Sequence, residues 1–69
     1  MIGNVYKNRR THPDRVFLVL STKRVKKGGV STLRINGLLI ADGATPLDSS
    51  FLQEDFFKAF PLLMWAPAA

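Results

Sequence analysis

Residues 15–40 read RVFLVLSTKRVKKGGVSTLRINGLLI, and no other stretch of the chain restricts the fold as much. Its first part, residues 15–21, is rich in β-branched and aromatic side chains, too short for an ordinary helix and apolar on both parities. That pattern predicts a central strand covered on both faces. Residues 23–27 extend the strand with charge, and Gly28-Gly29 supplies the positive φ angles of a two-residue hairpin. Residues 30–35 then alternate, with Leu33 and Ile35 on one face and Thr32 and Arg34 on the other. Asn36-Gly37 predicts a second hairpin, since both residues tolerate the φ > 0 of a type I′ turn, and Leu38, Leu39 and Ile40 form the strand that follows. Asp42-Gly43 ends it.

The flanks add shorter elements. Val5 and Tyr6 predict a first strand, followed by a turn at Thr11-His12-Pro13-Asp14, in which Pro13 biases His12 toward an extended conformation. Ser50 with Gln53 three residues later has the pattern of a capping box, and Glu54, Asp55 and Lys58 complement a helix dipole. Pro61 stops that helix. Leu52, Phe56, Ala59 and Phe60 make an apolar stripe for docking on the sheet, while Glu54 and Lys58 form an i, i+4 pair opposite. Residues 62–65 are a closing strand or an apolar tail, and residues 66–69 read as frayed.

A chain of 69 residues has room for one small domain, 1–69, with a core spanning roughly residues 3–65. Several antiparallel strands at about ten-residue spacing predict a mainly β fold, a small barrel or curled sheet of about five strands with one short C-terminal helix. Closure into a barrel would remove exposed edges. The strand order resembles that of SH3-like barrels, and the basic, glycine-containing stretch Val25-Lys26-Lys27-Gly28-Gly29-Val30 is similar to the hairpin of KOW- and Tudor-type barrels. A short chain opening Gly3-Asn4-Val5-Tyr6, with a late helix bearing Leu52, Asp55 and Phe57, also resembles small accessory proteins of bacteriophages. These resemblances imply a binding module.

Zero cysteines exclude a disulfide framework and thiolate metal sites, and fit a reducing, cytoplasmic setting. The first apolar run is too short for a signal peptide, and residues 56–69 are broken by Lys58, Pro61 and Pro67, so no membrane anchor is expected. Catalysis has few candidates. His12 is the only histidine; with Asp14 it offers two ligands at most where a catalytic zinc site needs about three, and the other carboxylates lie in the opposite half of the chain. Neither an enzyme nor a cofactor is expected.

Charge is the informative feature. Residues 1–34 carry nine basic residues against Asp14 alone, +8, while residues 35–69 carry Lys58 against four acids, −3, together giving the net +5. Arg9, Arg10, Lys23, Arg24, Lys26 and Lys27 are candidates for one patch that binds nucleic-acid phosphates, with Tyr6 as a stacking platform. The same lysines also suit an exposed edge protected against aggregation. The alternative is a protein-interaction surface of the apolar C-terminal part, with Phe57, Leu62, Leu63 and Trp65 as contacts. Its partner would be a second copy or, on the phage resemblance, a host protein that the chain inhibits or modulates.

Overall fold

A computed structural model describes residues 1–67. The elements are β1 (Val5–Lys7), β2 (Arg15–Lys27), β3 (Val30–Ala41), β4 (Leu47–Leu52), helix α1 (Gln53–Ala59) and β5 (Leu62–Trp65). All five strands lie in one antiparallel sheet, ordered β4-β3-β2-β1-β5. The sheet is not closed into a barrel. Its outer strands, β4 and β5, are only six and four residues long, and α1, which connects them, lies on one face of the sheet.

Gly28 and Gly29 make the expected tight turn, with φ of 59° and 81°. Asn36-Gly37 does not turn. Residues 30–41 run through it as the single strand β3, and Gly37 keeps a negative φ opposite Val19, where β2 carries one extra residue, Leu20, in a bulge. A Cβ on Gly37 would lie 1.9 Å from the Leu18 carbonyl oxygen and 2.7 Å from Phe17 Cε1. Glycine is therefore required here by the close approach of β2, as is common at bulges. The strand expected after that turn is the second half of β3. The true fourth strand, residues 47–52, was not anticipated, because its LDSSFL pattern has little β propensity.

Ser50 belongs to β4, paired with Asn36, and is not a helix cap. Its hydroxyl accepts a hydrogen bond from Arg34 Nη1 at 3.2 Å. Leu52 occupies the N-cap position with no side-chain bond, although Glu54 and Asp55 do sit in the first turn and Lys58 in the last. Glu54 accepts from Thr32 Oγ1 at 3.3 Å. The loop before β2 also departs from expectation: His12 has φ of 52°, a left-handed rather than extended conformation, and its carbonyl accepts from Arg9 Nε at 2.9 Å.

Strand register sorts the side chains into two faces. Phe17, Val19 and Ile35 are buried on the face covered by α1, where Phe56 and Phe60 complete the core and Tyr6, Leu39 and Phe51 pack around it. Phe56 meets Tyr6, Phe17, Phe51, Phe57 and Phe60 at centroid distances of 5.1 to 6.2 Å, mostly edge-on or tilted, as aromatic quadrupoles prefer. On the other face the pairs Val16–Ile40 and Leu18–Leu38 are only half-buried, because α1, the only helix among the described residues, packs on the opposite side. The expected burial of β2 on both faces is thus realised on one. The surface reflects this, at 4860 Å² against about 4,300 Å² for a compact monomer of this mass.

Candidate nucleic-acid interface

Pairing along β2 and β3 extends beyond the rest of the sheet. β1 pairs with β2 only at Val16, Phe17 and Leu18, and β4 with β3 only from Arg34 to Leu39. Residues 24–27 and 30–33 consequently pair with each other and with no further strand, and Lys23 pairs at their base with Arg34, where β4 still pairs through Leu52. Together these residues form a two-stranded arm about 17 Å long at the usual rise per residue. The molecule is correspondingly elongated, with extents of 38 × 27 × 21 Å and a radius of gyration of 12.3 Å, where a compact chain of this length has about 11 Å.

The arm is basic on both faces. Lys23 and Lys27 share one face with Arg34, and Arg24 and Lys26 share the other with Leu33 and Ser31. All five cations are exposed, and no acidic residue occurs between Arg15 and Ala41. Lys23 lies directly across from Arg34, a like-charge pair that weakens the arm until an anion offsets it. Arg34 was not singled out as a candidate in sequence. Counting back from the two-residue turn finds it, since Lys27 opposite Val30 puts Lys23 opposite Arg34.

Arg9 and Arg10 do not join this cluster. They sit in the loop between β1 and β2, at the opposite end of β2 and separated from Lys23 by about 26 Å of strand. The single patch of six expected from sequence is therefore divided, because a hairpin turn and the loop before the same strand must lie at opposite ends of it. Arg9 is engaged locally: its Nη2 lies 4.0 Å from Asp14 Oδ2. Tyr6 is no platform for the arm either, since it packs edge-on against Phe56 and Phe57 at 5.2 and 5.7 Å on the helix face.

The Asn8 side-chain amide donates to Asp14 Oδ1. That hydrogen bond, with the nearby Arg9 guanidinium, holds the Asp14 carboxyl below its ordinary value of 3.8. A lowered folded-state value means that the loop is favoured above the unfolded pKa and loses this contribution as pH falls through the folded one. Replacing Asn8 with Ala should raise the Asp14 value toward 3.8, read by NMR titration of the carboxyl carbon; an unchanged titration would show that Asn8 does not hold it.

The apolar candidates are gathered at β5. Leu63, Met64 and Trp65 are consecutive and 55%, 55% and 56% exposed on a sheet edge, with Met64 unpaired in a bulge opposite β1. Leu62 is half-buried beside Lys7. Phe57, at 37% exposure, is held between Tyr6 and Phe56, which makes it more a rim of the core than a free contact. Of the expected frayed tail, Ala66 and Pro67 follow β5 without regular structure, and Ala68 and Ala69 lie outside the described residues.

One surface depression of about 370 Å³, lined by Leu20, Asn36, Asp48 and Ser50, adjoins the base of the arm, and another of about 470 Å³, beside Asp14, Arg15 and Asp42, lies at the opposite end of β2. Among the described residues no three His, Asp or Glu side chains cluster as metal ligands, and no helix is long and apolar enough to cross a membrane. Fold and charge placement together define an open five-stranded antiparallel sheet with one helix and a projecting basic arm. No protein-family model, curated protein or solved structure matches the chain.

Proposed function

We propose that this protein is a small non-enzymatic module that binds nucleic acid through the phosphates, using the β2–β3 arm. One observation carries the reading: Lys23, Arg24, Lys26 and Lys27 stand on a projecting ribbon, with Arg34 at its base and no acidic residue in either strand. A core-stabilising role does not call for exposed cations there. Each phosphate neutralised releases condensed counterions, so four or five contacts give a log–log salt slope of about −4. Affinity for a short oligonucleotide should then fall roughly 250-fold between 50 and 200 mM salt. Replacing Lys23, Arg24, Lys26 and Lys27 together with Gln should abolish most of the binding while leaving the thermal transition in place. Absence of binding at low salt would reject the proposal. Arg9 and Arg10, at the far end, contribute at most a secondary contact.

The order of the strands supports an SH3-like reading of the fold: β1 to β4 form a consecutive meander, α1 follows, and β5 returns to pair with β1. A second functional reading, a protein-interaction module acting through β5, is favoured by the three exposed apolar side chains on that uncharged edge. Capture from lysate before and after nuclease treatment separates the two, since a nucleic-acid binder loses its partners and a protein binder keeps them.

A further inference from the structure

We infer that the arm enters the major groove of B-form duplex DNA, in preference to single strands or duplex RNA; this rests on the phosphate-binding reading above. Shape is the first reason. Two strands about 4.8 Å apart, with their side chains, make a ribbon that fits a groove about 12 Å wide but not the minor groove of about 6 Å. Only the residues beyond β1 and β4 are narrow enough, and these carry Lys23, Arg24, Lys26 and Lys27, with Arg34 at the base of the arm opposite Leu52.

Charge placement is the second reason. A ribbon inserted into a groove is flanked by phosphates on both sides, and this arm presents Lys23, Lys27 and Arg34 on one face and Arg24 and Lys26 on the other. A single strand lying along either face would meet only part of that charge. Third, residues 20–36 contain no Phe, Tyr, Trp or His. Single-strand sites use aromatic stacking worth about 1–3 kcal/mol per base, and an arm without rings offers none of it. The protein's aromatic residues are instead in the core or on β5.

Duplex RNA is disfavoured for a geometric reason, since its A-form major groove is too deep and narrow to be entered. The Gly28-Gly29 tip has nothing within 4 Å of either notional Cβ, so the leading end of the ribbon is slim. Backbone and cation contacts of this type position the protein without reading sequence.

Competition at 50 mM salt among duplex DNA, single-stranded DNA and duplex RNA of equal length and mixed sequence tests this, followed by dimethyl sulfate footprinting on the duplex. The expected result is at least about tenfold preference for duplex DNA, with protection of guanine N7 in the major groove and none of adenine N3 in the minor groove. Equal or tighter binding to single strands or RNA, or protection at adenine N3 alone, would overturn groove entry while leaving phosphate binding by the arm intact. No salt-dependent binding to any of the three would overturn both.

Discussion

Replacing Phe56 with Ala is expected to remove a large share of the protein's stability. The ring is fully buried and meets five other aromatic rings, drawn from β1, β2, β4 and α1 and its C-terminal end. Truncating a buried Phe costs about 3–5 kcal/mol through lost burial and the cavity left behind. A domain of 69 residues has a total stability of only about 3–10 kcal/mol, so the variant should be marginal or unfolded. Urea denaturation followed by circular dichroism reads the shift. Phe57→Ala, at the rim of the same cluster, should cost about 1 kcal/mol, because its ring remains 37% exposed. Equal midpoints for Phe56→Ala and the parent would contradict the core described above.

Gly37→Ala is expected to be nearly as damaging, for a different reason. The added methyl would meet the carbonyl carbon and oxygen of Leu18, backbone atoms that no rotamer change can move aside. β2 and β3 would have to part at the bulge, next to Phe17 and Val19, at a cost of about 3 kcal/mol or more. Gly28→Ala serves as the control. There a Cβ meets nothing within 4 Å and only the left-handed φ of 59° is strained, about 1–2 kcal/mol. If Asn36-Gly37 were a hairpin turn, the two substitutions would cost similar amounts. A much larger loss at Gly37, measured on the same denaturation scale, is the signature of the close-approach strand.

Several elements could be read directly from residue order because their causes are local. Gly28-Gly29 turns because glycine adopts positive φ at little cost, and the alternation around it sets register by counting outward. The acidic start and basic end of α1 likewise follow from the dipole, and Phe56 and Phe60 were legible as its inward stripe. The Ser50–Gln53 capping pattern misled because Ser50 was claimed by strand pairing with Asn36. The arm's lysines were legible as charge but not as an arm. Whether a ribbon projects depends on where β1 and β4 stop pairing, and those limits arise from contacts between distant residues.

From the sequence alone came the hairpin at Gly28-Gly29, the concentration of positive charge around it and the absence of any competing acid between residues 15 and 41. Tertiary structure decided the rest. It made Asn36-Gly37 part of a strand, left one sheet face open and removed Arg9 and Arg10 to the far end of β2. The physical reason is the same in each case. Turn chemistry and side-chain alternation act over a few residues, whereas the neighbour of a strand is chosen by packing across the whole sheet.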